Sequence, residues 1–333
     1  MINSLSQKLK SFSNKFSVIK SVFRRSPIIN DSTNDFIVYL LRGKTLYAFL
    51  FGLDSSSSSS APNLFFKNNI KIDLPLTVLS DNRIDNEQEL AEYIEDIVGF
   101  FDVGPTPFLL LLDPSYFFNI FIKRDTLEGI DILNFSPHIV SDSVYKAEEL
   151  ADSDSCNLSF GSRSLLKAWT ASITSSGSDC AYIGSLFYPL VQEISQKHNS
   201  FGLIDVHNSH SSLLLCFDGK LVSKFLPFGV NQYLIGDSFM ADEFVNRLSK
   251  TIVKFSSDNS FSSPKNIYFL SDRGLDIGSS SFFNLLSISD LSLGTPLHSA
   301  LAQGISTFDS QANDLNIPLS IISLVALNKI LVS

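Results

Sequence analysis

Cysteine is scarce in this chain, with only Cys156, Cys180 and Cys216 among 333 residues. The number is odd and no pair has CxxC spacing, so neither a disulfide framework nor a cysteine-based zinc site is expected. A GxSxG nucleophile motif is also absent, which argues against a serine hydrolase of that type. These absences indicate a protein of a reducing compartment and argue against a serine hydrolase.

Long apolar runs are missing too. No stretch of 18 consecutive apolar residues occurs, so an ordinary membrane span is not expected. The nearest run, Ile317 to Val332, is interrupted by Pro318 and by several polar residues, and we predict that it is a buried C-terminal helix. No continuous apolar segment follows the basic residues at the N-terminus, which excludes a secretory signal.

Acidic residues are absent from the first 30 positions, which contain six lysines and arginines and therefore carry +6. Because the whole chain carries -9, the remaining residues carry -15. An acidic body of this kind is a poor partner for nucleic acid. The length and the 44% hydrophobic content suit two domains with sizeable cores.

The first 30 residues have the clearest periodicity in the chain. Large apolar residues recur at alternating spacings of three and four, which predicts one apolar stripe on a basic amphipathic helix. Such a helix could lie on an anionic membrane surface, bind a partner, dock on the chain's own body or act as a targeting peptide. The stripe includes Leu5, Leu9, Phe12, Phe16, Ile19 and Phe23, and the cations include Lys8, Lys15, Arg24 and Arg25.

The stretch Phe201 to Gly229 contains three apolar runs separated by two turns. Asp218-Gly219 is a two-residue hairpin signal between the second and third runs. The first turn holds polar residues that follow Asp205 directly: His207, Asn208, Ser209 and His210. We predict a three-stranded antiparallel meander whose first loop carries the polar groups.

Strands and helices alternate over the rest of the chain. A hairpin is predicted at Asp35 to Phe51 around Arg42-Gly43-Lys44, and a flexible loop at the serine run 55–60. Because a hairpin start recurs near residues 36 and 201, we expect a duplicated α/β architecture. Further strands are predicted at 70–79, 108–112, 119–123 and 265–270, and helices at 85–101, 141–150, 162–174, 183–198 and 237–255.

This order of parts resembles the bacterial actin-like ATPase superfamily, nearest to the PilM type of pilus assembly protein, with FtsA and GspL as relatives. The family motif I-D-I-G is resembled by Leu203-Ile204-Asp205-Val206-His207, and its Ala-Gly-Leu-like turn by the segment from Ser162 to Tyr182. The strand before the adenosine loop is similar to Ile267 to Gly274, and the apolar C-terminal helix to Pro318 to Leu331. The resemblance covers about residues 35–333.

The resemblance implies a duplicated actin-like (ribonuclease-H-like) α/β fold with a small inserted α+β subdomain. It divides the chain into the amphipathic helix, residues 1–30, a first half, 31–155, and a second half, 156–333. The insertion is expected at about 70–150, within the first half.

The nucleotide loops depart from the family pattern. Phosphate loops need small residues so that backbone N–H groups can approach the anion, yet His207 stands where glycine is expected. In the first hairpin the family carboxylate is missing, and Asp35 lies before the strand. Hydrolysis is therefore not expected and no catalytic residue is assigned, although binding of ATP and Mg²⁺ stays open. The degenerate nucleotide contacts are Asp205, His207, Asn208, Ser209, Ser271, Asp272 and Gly274.

Asp205 has two interpretations, a remnant metal ligand with a catalytic role or a strand-end carboxylate satisfied by backbone N–H groups. His207 and His210 could ligate a metal with His198 or Cys216, but a structural zinc normally needs four ligands and Cys216 lies in an apolar strand. No metal site is therefore assigned from the sequence.

By resemblance, the chain is expected to be a pseudo-ATPase scaffold in the cytoplasm, peripheral to a bacterial inner membrane. Its partner would be the cytoplasmic tail of a PilN-type protein, and it would help couple a motor ATPase to the pilus machine. One alternative is a divergent ATPase or sugar-kinase-like phosphotransferase that uses Asp205. A second is a GspL-like secretion scaffold, a family that normally continues into a membrane span.

Overall fold

The structure is a computed structural model, and it describes most of the chain between residues 35 and 271. The predicted N-terminal helix, the serine run, Asp272 and Gly274 lie outside the described residues, as does most of the predicted C-terminal helix. Among the helices of the described ranges, not one combines the length and apolar character needed to span a bilayer. The described residues are 35–54, 63–80, 83–123, 142–149, 155–196, 198–235, 238–264, 266–271, Ser323 and Leu327.

Between residues 35 and 271 the structure describes sixteen strands and four α-helices, and Ser323 and Leu327 are also helical. The strands are β1 Asp35–Arg42, β2 Thr45–Asp54, β3 Asn63–Asp73, β4 Leu79–Ser80, β5 Arg83–Ile84, β6 Phe108–Leu112, β7 Phe117–Lys123, β8 Ser143–Glu149, β9 Ser155–Ser162, β10 Cys180–Ser185, β11 Ser200–Val206, β12 Ser211–Phe217, β13 Lys220–Leu226, β14 Leu234–Ile235, β15 Ser238–Phe239 and β16 Asn266–Ser271. The helices are α1 Glu87–Phe101, α2 Arg163–Ser175, α3 Phe187–Ile194 and α4 Ala241–Asp258.

The first sheet has five strands in the order β10-β6-β1-β2-β3. Arg42 pairs with Thr45, so only Gly43 and Lys44 connect β1 to β2, and Gly43 adopts a φ of 57° that glycine tolerates. Strands β6 and β10 run parallel to β1 and to each other. Both faces of β1 are buried, which is why its sequence is continuously apolar rather than alternating.

The second sheet repeats this arrangement, with described strands in the order β13-β12-β11-β16. An antiparallel meander, β11-β12-β13, is again followed by a strand, β16, that lies parallel to the first. Asp218 and Gly219 have φ of 48° and 80°, the conformation that an Asp-Gly hairpin turn requires. The predicted meander and the duplicated α/β architecture are confirmed.

One apolar layer joins the two sheets. It contains Phe36 and Phe49 from the first sheet, Phe201 from the second, and Leu190 from α3 between them. The outer face of the first sheet packs against α1 and α2, and the outer face of the second packs against α4. Because a continuous core connects the sheets, residues at the ends of their strands are held at fixed distances.

A third, three-stranded sheet in the order β7-β9-β8 forms a separate small unit. The helix predicted at 141–150 is wrong, because residues 143–149 form β8. Tyr145 and Ala147 lie one pleat apart on the same face and pack against the core of this sheet around Phe160. Pairing with β9 decides the conformation of a segment whose own pattern fits either structure.

Other predicted bounds also change. Residues 70–112 include the end of β3, the strands β4 and β5, α1 and β6; β3 and β6 lie in the first sheet, and β4 and β5 form a two-stranded sheet of their own. The three-stranded sheet is formed by residues 117–123, 143–149 and 155–162. The helix predicted at 183–198 is wrong over its first part, because β10 continues to Ser185 and α3 begins at Phe187. Pro189 fits the first turn of this later helix but would break a helix that began at 183.

Candidate functional site

Three strand ends converge between the two sheets. Strand β1 ends at Arg42, β6 is followed directly by Asp113, and β11 carries Asp205 and ends just before His207. In α/β folds the carboxyl ends of parallel strands are where functional side chains and ligands collect. These four residues, the strand-end cluster, are all buried.

Arg42 and Asp205 form an ion pair across the junction. Its side chains are 1% and 0% exposed, and it connects β1 to β11, which are 163 residues apart in the chain. Because an uncompensated charge at such a depth is very costly, each group requires the other to remain buried. The pair therefore links the two halves electrostatically.

His207 bridges the two carboxylates of the cluster. Its Nε2 lies 3.1 Å from Asp113 Oδ2 and 3.3 Å from Asp205 Oδ2. Burial lowers the pKa of His207, but the charges of Asp205 and Asp113 and their hydrogen bonds outweigh this and raise the pKa to about 12. With His207 protonated, two cations balance two anions and the buried cluster is neutral.

Asp113 is fixed by the backbone around it. Its carboxylate accepts hydrogen bonds from the N–H groups of Gly43, at 3.1 Å, and Ser115, at 2.9 Å. Burial raises the pKa of Asp113, but the charge and hydrogen bond of His207 and these two backbone donors hold it well below its usual range. The Gly43 N–H in the first hairpin loop therefore already donates to a carboxylate of the protein itself.

The loop after β11 is clamped onto the segment after β13. His207 N–H donates to the His210 carbonyl at 2.9 Å, and Val230 N–H donates to the His207 carbonyl at 2.9 Å. Gly229 lies so close that a Cβ there would come within 2.2 Å of His207 O. The His207 and His210 rings are 4.6 Å apart at 20°, and His210 stacks on Phe225 at 5.2 Å. The loop is a packed structure rather than an open cradle.

The structure separates the predicted contact residues. It brings Asp205 and His207 together in the cluster, whereas Asn208 and Ser209 are exposed. Ser271 ends β16 and pairs with Val206, beside the end of β11, and Asp272 and Gly274 lie outside the described residues. Sequence reasoning missed Arg42 and Asp113 as members of the site. The available signal was that each polar residue directly follows a buried apolar run.

A donor set for a metal is also present. Oxygen or nitrogen ligand atoms of Asp113, His207 and His210 all lie within 4.8 Å of one another. His198, considered as a ligand from the sequence, instead has its Nδ1 3.1 Å from Asn266 Nδ2. Carboxylate plus imidazole suits zinc and related transition metals more than Mg²⁺.

No protein-family model and no curated protein sequence matches the chain. Among solved structures, a PilM–PilN type IV pilus biogenesis complex matches with a TM-score of 0.56 and 13% identity, covering 88% of this chain and 98% of that one. The chain has an actin-like fold. A Bacteroides thetaiotaomicron protein of actin-like ATPase fold and unknown function matches at a TM-score of 0.43 and 10% identity, over 89% and 98% of the two chains. The cytoplasmic domain of EpsL, an inner-membrane component of the Vibrio cholerae type II secretion system, matches at 0.42 and 10%, over 71% and 81%.

The actin-like fold implies a nucleotide with Mg²⁺, and the strand-end cluster does not fit one. Phosphate binding between the β1–β2 and β11–β12 loops needs backbone N–H groups that face the anion. Here the Gly43 N–H donates to Asp113 and the His207 N–H to His210. Asp205, the carboxylate that would orient a metal or a water, is paired with Arg42 and is 0% exposed.

A separate apolar groove lies between the small sheet and the first sheet. Lys146 borders it, with Nζ 4.5 Å above the Tyr188 ring and hydrogen bonds to Tyr188 Oη and Glu148. Tyr188 Oη in turn donates to Glu148 at 2.5 Å. Pockets that combine aromatic walls with a few polar groups are typical of ligand and peptide sites. The groove is lined by Phe117, Tyr145, Leu166, Tyr182, Phe187 and Tyr188.

Proposed function

We propose that this protein is a non-catalytic actin-like scaffold of a type IV pilus inner-membrane assembly platform. The observation that carries the non-catalytic part is the buried Arg42–Asp205 pair, with His207 and Asp113, at the meeting point of the two hairpin loops. A nucleotide phosphate would have to break these ion pairs and displace the internal acceptors of both loops. The retained fold then serves binding rather than hydrolysis.

Mg-ATP is therefore expected to leave the thermal unfolding midpoint of the full chain unchanged, and ATP hydrolysis should stay at background. The reason is that ligands stabilise a protein only in proportion to their binding to the folded state. The measurement is a thermal shift assay at millimolar Mg-ATP. A shift of several degrees that is lost in Asp205→Ala would contradict the scaffold and favour the divergent phosphotransferase.

The proposed partner is the cytoplasmic tail of a PilN-type inner-membrane protein, with a motor ATPase as a second contact. The PilM–PilN complex supports this partner, since its fold is shared over most of both chains. On this chain the apolar groove is the surface that suits a short tail, because aromatic walls can take apolar side chains and Lys146 and Glu148 offer polar contacts at one edge. The basic amphipathic segment, residues 1–30, would hold the scaffold in the cytoplasm at the membrane surface.

Replacing Leu166 with glutamate is expected to abolish capture of the PilN-type tail. Leu166 is half-buried in the wall of the groove, so a carboxylate there would oppose an apolar side chain of the peptide. The measurement is co-sedimentation of the purified chain with anionic vesicles that display the PilN-type tail, compared with bare vesicles. A chain lacking residues 1–26 should lose sedimentation with bare vesicles and keep tail-dependent sedimentation.

Phe100→Glu is the matched control, since Phe100 is 52% exposed on α1 and does not line the groove. It should bind the tail as the unchanged chain does. Equal binding by Leu166→Glu would place the tail elsewhere. Capture of a type II secretion tail in preference to the PilN-type tail would replace the pilus assignment with the GspL-like one.

A further inference from the structure

The strand-end cluster places two buried carboxylates, Asp113 and Asp205, beside the imidazole of His207. Asp113 and Asp205 are negative and Arg42 is positive, so the buried site carries one excess negative charge before His207 is considered. Isolated buried charge is strongly disfavoured, so the site favours additional positive charge.

We propose that Asp113, His207 and His210 bind one divalent transition-metal ion of the zinc class at the junction of the two sheets. Their ligand atoms lie within 4.8 Å of one another, and the carboxylate and first imidazole are 3.1 Å apart. Zinc bonds of about 2.0–2.1 Å in a tetrahedron separate neighbouring ligand atoms by about 3.3 Å. The His207 and His210 rings are stacked at 4.6 Å and 20°, so a rotation of the His210 ring would be needed to point both imidazoles at one ion.

His210 is the residue that favours a metal over a proton alone. His207 and the two carboxylates are sufficient to hold a proton, and a second imidazole adds no acceptor that this proton needs. Two imidazoles and a carboxylate, in contrast, form a donor set that zinc prefers. Metal binding would displace the proton of His207, as it does at other protein sites.

The surroundings already fix two of the three ligands. Asp113 is held by the N–H groups of Gly43 and Ser115, and the His207 backbone is held by Val230. Such outer contacts orient metal ligands and strengthen binding. The three residues leave the fourth tetrahedral position to a water molecule. A bound ion would connect β6 of the first sheet to the β11–β12 loop of the second.

The test uses the full chain after removal of metal with a chelator. Zn²⁺ is titrated in competition with a chromophoric chelator, and bound metal is counted by plasma mass spectrometry. We expect one Zn²⁺ per chain and binding at least about tenfold weaker in His210→Gln and in Asp113→Asn. His198→Gln is the matched control, because His198 lies outside the cluster, and it should bind as the unchanged chain does.

Cobalt substitution of the unchanged chain provides a readout that needs no variant. Co²⁺ in the proposed site should absorb in the visible range without a thiolate charge-transfer band. Such a band would assign the metal to a cysteine and overturn the proposal. Binding of less than about a tenth of an ion per chain, or equal binding by a folded His210→Gln, would overturn it as well. Neither result would affect the scaffold proposal, which depends on tail and nucleotide binding measured separately.

Discussion

Replacing Arg42 with methionine is expected to lower the free energy of unfolding by about 3–5 kcal/mol. The change removes the cation that faces Asp205 and leaves one excess negative charge in a site that is 0–1% exposed. Methionine fills much of the volume of the arginine side chain. The loss of stability should therefore come from the missing charge and not from a cavity. The measurement is urea unfolding followed by circular dichroism, in the presence of EDTA so that no metal replaces the lost charge.

The double variant Arg42→Met with Asp205→Leu tests this cause. It restores neutrality, because only His207 and Asp113 then remain charged, and it should be more stable than Arg42→Met alone. Arg83→Met is the surface control, since the Arg83 and Asp85 side chains are 75% and 33% exposed, and it should cost under about 1 kcal/mol. Additive losses in the double variant would show that the charge argument is wrong.

Replacing Gly229 with alanine is expected to destabilise the protein by about 3 kcal/mol, at the upper end of overpacking effects. The added Cβ would lie 2.2 Å from His207 O and 2.7 Å from His210 N, and both of these are backbone atoms. Backbone cannot rotate away as a flexible side chain can, so the β11–β12 loop must move. That movement would also separate His207 from Asp113. Circular dichroism in urea measures the first effect, and the zinc titration measures the second.

Gly99→Ala is the matched control. Gly99 lies inside α1, and a Cβ there has no neighbour within 4 Å. Alanine costs less backbone entropy in a helix than glycine, so this variant should gain about 0.5–1 kcal/mol. If both alanine variants had the same effect, the close approach of Gly229 to the loop would not be the cause.

The two halves of this actin-like fold are joined by an apolar layer and by a neutral ion cluster. The layer packs α3 between the sheets, and the cluster connects the ends of β1, β6 and β11. Both contacts are made by the chain's own side chains, which agrees with the proposed binding role of the fold.

Much of the fold could be predicted from local patterns. The central meander, α1 and the strand Phe108–Leu112 follow from alternating or continuous apolar runs and from the Asp-Gly turn, because these signals act between neighbours in sequence. Local patterns failed at residues 143–149, where Tyr145 and Lys146 fit a helix or a strand equally well. The segment is a strand because it pairs with β9, and neighbouring residues in the sequence do not encode this pairing.

The candidate site was only half predictable. Asp205 and His207 lie two residues apart at the end of one strand, so the sequence alone identified both as candidates. The presence of His207 where glycine is expected already argued against phosphate binding. Arg42 and Asp113 lie 163 and 92 residues before Asp205, and no spacing rule connects them to it. The sequence by itself determined the first hairpin, the central meander with its turns, and the degenerate loops. Only the tertiary structure decided that the loops are closed by a buried ion cluster, because charge pairing depends on distances that folding alone creates.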